Sequence, residues 1–215
     1  KDVSTGEIVP ASVDPLGVEG DAYSGLPSMS PDGRYIAFES DASNLTADVI
    51  QSREIYRKDL LSGAVSLVSA NADGLPAYDY TTAPSISASG RFVAFASYSA
   101  QLVEADANLD QDVFRKDLLT GQIVRASTDL AGLEANGSSS NPSLSADGRY
   151  VAFESSSTNL VVPDSNQARD VFRKDLEPSG SSNVILSAHL LRPTSIRSRQ
   201  FQLEVRFKQA LDAYG

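Results

Sequence analysis

The sequence has no cysteine, no tryptophan and one histidine in 215 residues. The absence of cysteine excludes disulfides and thiolate metal ligands, and it leaves the cellular compartment undecided. Because His189 is the only histidine, the chain cannot build a multi-histidine metal site. A Ser-His-Asp triad would have to use that residue, and the sequence contains no Gly-x-Ser-x-Gly turn. We therefore expect no catalytic site in this chain.

Long apolar runs and an excess of positive charge are also missing. No apolar stretch approaches the ~20 residues of a membrane span, so we expect no such span. The formal net charge is −10, and a surface of this sign repels phosphates, which argues against a nucleic acid partner. Hydrophobic residues make up 41%, an ordinary share for a folded globular protein with a substantial core.

One unit is repeated three times along the chain. Its first block recurs at intervals of 57 and 58 residues, as SPDGRYIAF (30–38), SASGRFVAF (87–95) and SADGRYVAF (145–153). Its second block recurs every 58 residues, as EIYRKDLLSG (54–63), DVFRKDLLTG (112–121) and DVFRKDLEPSG (170–180). Landmarks that keep register through three copies indicate a repeat architecture. The opening KDVSTGEIVPAS matches KDLLTGQIVRAS (116–127), so we expect the chain to start inside a preceding copy.

Each copy resolves into four short extended segments, which predicts an all-β fold. A Pro-Ser-x-Ser segment leads through an Asp-Gly or Ser-Gly turn to an apolar strand. A polar loop then precedes a third strand, and a Ser-Gly or Thr-Gly turn introduces a fourth that is rich in β-branched residues. Four antiparallel strands per repeat are typical of a propeller blade. We predict a partial β-propeller with three full repeats of about 58 residues and an N-terminal half repeat.

The repeat resembles a known family. The order P-S-x-S-x-D-G-R-Y-x-A-F, N-L and D-V-F-x-x-D-L-x-T-G is similar to the TolB-like, WD40-like β-propeller repeat of bacterial exported proteins, over roughly residues 1–188. The resemblance implies a blade fold and a periplasmic or secreted location. It also implies a binding or scaffold role, although some propellers of this type sit on hydrolases or carry lyase activity.

The repeats define the expected domain boundaries. Residues 1–189 form the propeller part and residues 190–215 a tail; within the first part we expect a partial blade at 1–13 and blades at 24–70, 82–128 and 140–188. In the tail, FQLEVRF (201–207) alternates apolar and polar residues. It resembles the first strand of a bacterial immunoglobulin-like module, and a bare terminal strand is an equal alternative.

The number of blades predicts that the ring is incomplete. Propellers close with about four to eight blades, and three blades leave two bare sheet edges. We expect the ring to be completed either by missing blades of a longer protein or by a second chain, and the first is favoured because the sequence begins within a blade.

An acidic loop precedes the third strand in two of the copies. Its candidate ligands are Asp106, Asn108, Asp110 and Asp112 in the second copy and Asp164, Asn166 and Asp170 in the third. Calcium prefers six to eight oxygen ligands, and closely spaced Asp and Asn on a turn can supply three or four. An EF-hand is excluded, because Gln111 replaces its glycine and a strand follows in place of a helix. The alternative is that these side chains bond their own backbone in Asx-turns, so Ca²⁺ is the one candidate cofactor.

Positions where the copies differ are better binding-site candidates than positions that recur, since a binding site usually breaks a repeat. YDYTTA (78–83) carries two tyrosines where the other copies have NGSSSN (136–141) and DAYSG (21–25). Tyrosines often contact protein or sugar. Tyr23, Tyr78 and Tyr80 are therefore the predicted ligand-binding residues.

The recurring Arg-Lys-Asp triplets and the recurring aromatic residues have structural interpretations. The triplets, at 57–59, 115–117 and 173–175, are predicted to form cross-strand ion pairs with Arg34, Arg91 or Arg149, and a ligand-facing basic rim is the alternative. The aromatic residues predicted to be buried between adjacent blades are Phe38, Phe95, Phe153, Tyr56, Phe114 and Phe172.

The sequence favours a non-catalytic interaction module that presents loops between its blades to a protein or a polysaccharide. The alternative is the propeller portion of an exported hydrolase whose catalytic residues lie outside this chain.

Overall fold

The computed structural model describes residues 6, 8–47, 52–104, 106–162 and 164–177, and the backbone of 188–189 and 204–205. The chain divides into two compact units, Lys1–Leu176 and Glu177–Gly215. These described residues contain strands and turns and no helix, and hence no helix that could cross a membrane.

Eleven strands form the described part of the first unit. They are β1 (Ser24–Met29), β2 (Tyr35–Ser40), β3 (Glu54–Asp59), β4 (Val65–Leu67), β5 (Thr81–Ile86), β6 (Phe92–Ser97), β7 (Asp112–Asp117), β8 (Ile123–Arg125), β9 (Ser139–Leu144), β10 (Tyr150–Ser155) and β11 (Asp170–Asp175). Consecutive strands pair antiparallel, in a first sheet β1-β2-β3-β4, a second β5-β6-β7-β8 and a third β9-β10-β11. We call these sheets blades one, two and three.

The all-β fold built from repeated antiparallel blades is confirmed. Equivalent strands have the same register in each blade, as in Tyr35↔Asp59 and Phe92↔Asp117. The fourth strand predicted for blade three lies outside the described residues. In the second unit, β12 (Ala188–His189) pairs with β13 (Glu204–Val205), and the rest of the predicted 201–207 strand, with the immunoglobulin-like module, also lies outside the described residues.

In blades two and three, the turn between the first two strands requires glycine for two reasons. Gly90 and Gly148 have φ values of 69° and 79°, a region that residues with a Cβ rarely adopt. A Cβ at Gly90 would also overlap the ring of Tyr35, and one at Gly148 would overlap the ring of Phe92. Each turn therefore receives an aromatic ring from the preceding blade.

The apolar core consists of layers between neighbouring blades. Between blades one and two, Phe95 and Phe114 pack with Ala37, Ile55 and Val68. The layer between blades two and three repeats this chemistry, with Ala94, Val113 and Ala126 of blade two packed with Phe153 and Phe172 of blade three. Each blade thus presents an aromatic pair to its predecessor and small aliphatic side chains to its successor.

The predicted burial of six aromatic residues is confirmed for five of them. The buried residues are Phe38, Tyr56, Phe95, Phe114 and Phe153. Phe172 is only half-buried. The prediction was wrong there because β11 is an edge strand in the described part of blade three, with no fourth strand beside it. On the opposite face of the same strand, Val171 is 76% exposed, whereas its equivalent Val113 is fully buried.

The predicted cross-strand ion pairs are confirmed in all three blades. Arg34 pairs with Asp59, Arg91 with Asp117 and Arg149 with Asp175, through Nε and Nη2 to the two carboxylate oxygens at 2.7–3.0 Å. The guanidinium groups hold the pKa of Asp59 and Asp117 below the usual range. These pairs close the turns at one end of each blade, so the aspartates have a structural role.

The arginine and lysine of the triplet join neighbouring blades. Arg57 Nη1 donates to the carbonyl of Gly90 in the next blade at 2.8 Å, and Arg115 Nη1 donates to that of Gly148 at 2.7 Å. In the other direction, buried Lys116 donates through Nζ to the carbonyls of Ala70 and Asn71, where the chain leaves the preceding blade, at 2.7 and 2.8 Å. Because the ammonium meets several carbonyl oxygens, its burial is compensated.

The layer between blades one and two should dominate the stability of the first unit. We expect Phe95→Ala to lower the free energy of unfolding by about 3–5 kcal/mol, as for other buried aromatic side chains. Val171→Ala, at the exposed face of blade three, should change it by less than about 0.5 kcal/mol. Urea unfolding followed by circular dichroism measures both, and a loss below ~1 kcal/mol for Phe95→Ala would contradict the assignment.

Candidate functional site

One end of the blades carries the long connections and the sequence differences between copies. There β1 begins, β2 ends and β3 begins, as the pairs Ser24↔Ser40 and Ser40↔Glu54 show. The equivalent end of blade two is defined by Thr81↔Ser97 and Ser97↔Asp112. We call this end the loop face. The Arg-Asp pairs lie at the opposite end.

Two of the three predicted tyrosines come together on the loop face. The guanidinium of Arg53 lies over the ring of Tyr23 at 4.9 Å and over the ring of Tyr80 at 5.2 Å, measured to the ring centroids. Tyr23 precedes β1 and Tyr80 precedes β5, so the arginine joins tyrosines of adjacent blades. The two tyrosines remain 53% and 45% exposed, which leaves aromatic surface available to a ligand.

Carboxylates fix the position of Arg53. Its Nε and Nη2 donate to the two carboxylate oxygens of Asp41 at 2.9 and 2.8 Å, and Nη1 donates to Glu39 at 3.3 Å. The bidentate pair lowers the pKa of Asp41 and raises that of Arg53. Buried Glu39 in turn accepts a 2.6 Å hydrogen bond from Thr82 of blade two. The tyrosines are therefore held on a rigid polar base that spans both blades.

Tyr78 is placed differently from the other two tyrosines. It is 54% exposed and has a φ of 54°, a strained value for a residue with a side chain. Its backbone N–H donates to the buried carboxylate of Glu54 at 3.0 Å, which holds the segment in this conformation. In blade three, the positions of Tyr78 and Tyr80 are occupied by Asn136 and Ser138.

The acidic loop of blade two surrounds an arginine that the sequence prediction missed. The side chain of Arg125, at the end of β8, is 7% exposed and lies among three carboxylates. The nearest distances from its nitrogens are 3.2 Å to Asp106, 3.4 Å to Asp112 and 2.5 Å to Glu134. We call Asp106, Asp112 and Glu134 the carboxylate cluster; one oxygen from each lies within 4.8 Å of the others.

Burial dominates the electrostatics of the carboxylate cluster. Desolvation raises the pKa of Asp112 to about 6, although Ser127 Oγ donates to it at 2.5 Å and Arg125 lies nearby. Desolvation likewise raises the pKa of Asp106, an effect that Arg125 opposes and the neighbouring Glu134 reinforces. The cluster therefore has a deficit of positive charge.

The other two predicted ligands in this loop make turn contacts. Asn108 Oδ1 accepts from the backbone N–H of Asp110 at 2.7 Å, as the Asx-turn interpretation predicts. Its amide nitrogen donates to the carbonyl of Ala135 at 2.8 Å and faces Asp112 at 3.5 Å. Asp110 is not part of the carboxylate cluster. The structure thus brings together Asp106 and Asp112, and adds Glu134 from the next connection.

In blade three, the predicted ligands also form local turns. Asp164 Oδ1 accepts from the backbone N–H groups of Asn166 and Gln167 at 3.1 and 3.0 Å. The amide of Asn166 donates to Asp170 at 3.3 Å. Calcium at this loop stays a prediction, as does calcium on the four-residue set predicted for blade two.

The sequence prediction missed three residues of these sites, Arg125, Glu134 and Arg53. Arg125 occupies the repeat position of Leu67, and Glu134 that of Pro76. Arg53 occupies the position of Gln111. Arg125 departs from the other copies, which have Leu67 and Pro10 at this position, whereas Glu134 recurs as Glu19 and Arg53 recurs as Arg169. A comparison of copies could therefore have singled out Arg125 alone, and it could not have shown what any of the three side chains contacts.

The chain is similar in structure to several β-propellers. TolB from Agrobacterium tumefaciens matches with 22% identity and a TM-score of 0.47, over 79% of this chain and 47% of that one. The tricorn protease matches with 20% identity and a TM-score of 0.45, over 85% of this chain and 16% of that one. The propeller domain of the Trilobed protease from Pyrococcus furiosus matches with 17% identity and a TM-score of 0.41.

The similarity extends to the fold and no further. The chain spans less than half the length of each of these three proteins. TolB is among them, as the resemblance of the repeats in sequence led us to expect. No protein-family model matches the sequence, and no curated protein matches it.

Glu54, which supports the Tyr78 segment, should make stability depend on pH. It is fully buried, and desolvation raises its pKa from 4.5 to about 7 although Ser69, Ser52 and the N–H of Tyr78 all donate to it. A carboxyl with a raised folded-state pKa contributes stability that is fully present below about pH 4.5 and is lost as the pH rises through about 7.

We expect the free energy of unfolding to fall across this window, with Glu54 contributing up to roughly 3 kcal/mol. Glu54→Gln should flatten that part of the profile, and Glu104→Gln, at an exposed position of another connection, should not. Urea unfolding at a series of pH values makes the comparison. Parallel profiles for the wild type and Glu54→Gln would show that Glu54 does not titrate in this range.

Proposed function

We propose that this chain is a non-catalytic interaction module that binds a protein or a polysaccharide through its loop face. The observation that carries the proposal is the stack of Arg53 between Tyr23 and Tyr80. Exposed tyrosines on a rigid base offer a large apolar contact area at a low cost in conformational entropy. We further propose a periplasmic or secreted location, which the sequence resemblance of the repeats supports.

The rigidity of the base supports a role in recognition. Thr82, Glu39 and Arg53 form a hydrogen-bonded chain across the two blades, so the tyrosines do not have to be ordered when a ligand binds. The stack also breaks the repeat, since blade three has Ser138 in place of Tyr80. An exported hydrolase with its catalytic residues outside this chain is the alternative, and no observation among the described residues favours it.

Binding to arrays of soluble polysaccharides and of peptides tests the proposal. We expect a specific ligand on one of the arrays, and Tyr23→Ala and Tyr80→Ala should each weaken its binding by about tenfold or more, because interface aromatics often dominate binding energy. Leu61→Ala, at a 78% exposed turn residue at the opposite end of the blades, is the matched control. If both tyrosine variants bind like the wild type, the ligand contacts another surface.

We also propose that a further blade completes the ring at blade three, supplied by the rest of a longer protein or by a second chain. The forward-facing Val171 is 76% exposed, while Ile55 and Val113 at the same repeat position are fully buried against a following blade. Arg173 is the counterpart of Arg57 and Arg115, which donate to the turn of the next blade.

Light scattering distinguishes the two sources of the added blade. A mass of two chains supports completion by a second chain, and a mass of one chain supports completion by blades outside this sequence. If Val171→Asp left a two-chain mass unchanged, the contact between the chains would lie elsewhere.

A further inference from the structure

The carboxylate cluster contains one buried oxygen atom that the protein leaves without a donor. The side chain of Asp106 is 3% exposed, and its Oδ1 has no hydrogen-bond partner. One oxygen of Asp106 and one of Glu134 lie within 4.8 Å of each other. Ionised carboxylates only accept hydrogen bonds, so neither group can donate to the other, and the pair requires a positively charged partner.

Arg125 only partly meets that requirement. Its Nε and Nη2 atoms are buried and make no hydrogen bond of acceptable geometry, although they lie 3.4 and 3.2 Å from Asp112 and Asp106. Nη1 alone makes a short contact, with Glu134. Three carboxylates and one guanidinium leave two negative charges uncompensated when all groups are ionised, and buried charges without partners are costly.

The spacing and chemistry of the cluster suit a divalent cation. One oxygen from each carboxyl lies within 4.8 Å of the others. Calcium binds oxygen ligands at about 2.3–2.6 Å, so oxygens on opposite sides of the ion are up to about 5 Å apart. A single doubly charged ion would also balance the two uncompensated charges. Carboxylate oxygens, without histidine or cysteine, select hard cations such as calcium.

We propose that Asp106, Asp112 and Glu134 bind a calcium ion that ties the connection before β7 to the segment before β9. The proposed ligand set differs from the sequence-predicted one, because Glu134 joins it and both Asn108 and Asp110 leave it. Asp106 and Glu134 lie in successive connections of the loop face, 28 residues apart in sequence. The ion therefore orders the loop face beside blade two, independently of what the tyrosines bind.

Calcium titration and thermal melting of the full chain test the proposal. We expect isothermal titration calorimetry to show one bound ion. The midpoint temperature of unfolding should be roughly 5–10 °C higher with calcium at a hundredfold excess over Kd than with chelator. Ionic strength is kept constant with sodium chloride, so that screening of the net charge is not mistaken for binding. Magnesium should produce a smaller shift, because it demands tighter octahedral geometry.

Variants separate this ligand set from the alternatives. Glu134→Gln should weaken calcium binding at least tenfold, whereas Asp110→Asn, in the connection that carries Asp106, should leave it unchanged. Glu134 is partly exposed, so its isosteric variant should fold, and its melting curve in chelator checks this. Arg125→Leu, which introduces the residue that blade one has at this position, should strengthen binding by removing a competing positive charge.

Three results would overturn the proposal. The first is the absence of both binding heat and a midpoint shift in the wild type at millimolar calcium. The second is binding that Asp110→Asn abolishes and Glu134→Gln does not, which would restore the ligand set of a single loop. The third is binding only in Arg125→Leu, which would make Arg125 the resident cation of the cluster.

Discussion

Contact between adjacent blades is the interaction on which the rest of the structure depends. A single four-stranded sheet has two apolar faces and cannot bury either of them alone. The two faces of each blade therefore have different shapes, with an aromatic pair such as Phe95 and Phe114 on one and aliphatic side chains such as Ala37 and Ile55 on the other. The faces are complementary between neighbours, so the same sequence pattern can be used in every blade.

The charged triplet of the third strand makes different contacts with the next blade and with the previous one. Arg115 donates to the turn of the next blade, and Lys116 donates to the segment where the chain leaves the previous blade. Asp117 accepts from Arg91 of its own blade. A blade that was turned or shifted against its neighbours would lose the contacts of Arg115 and Lys116. These contacts between blades recur and are made with backbone carbonyls, so the side chains in the connections of the loop face can differ between blades.

The loop face carries different features at different blades. Between blades one and two it carries an aromatic and arginine stack on a hydrogen-bonded base, and beside blade two it carries three carboxylates around Arg125. Both features involve positions where one copy departs from the others. Both are also built from more than one segment of the loop face, so their geometry depends on the blade packing beneath them.

The sequence by itself determined the fold class, the blades, the strand order within them and the cross-strand ion pairs. Its repeats identify equivalent positions, and the period-two alternation of a strand assigns each residue to a face. Only the tertiary structure decided which side chains of different repeats meet. Glu134 lies 28 residues from Asp106, and Arg53 lies 27 from Tyr80. Such contacts arise from the packing of one blade on the next, which no local pattern in the sequence encodes. Phe172 is less buried than its repeat position predicts because β11 is an edge strand in the described part of blade three.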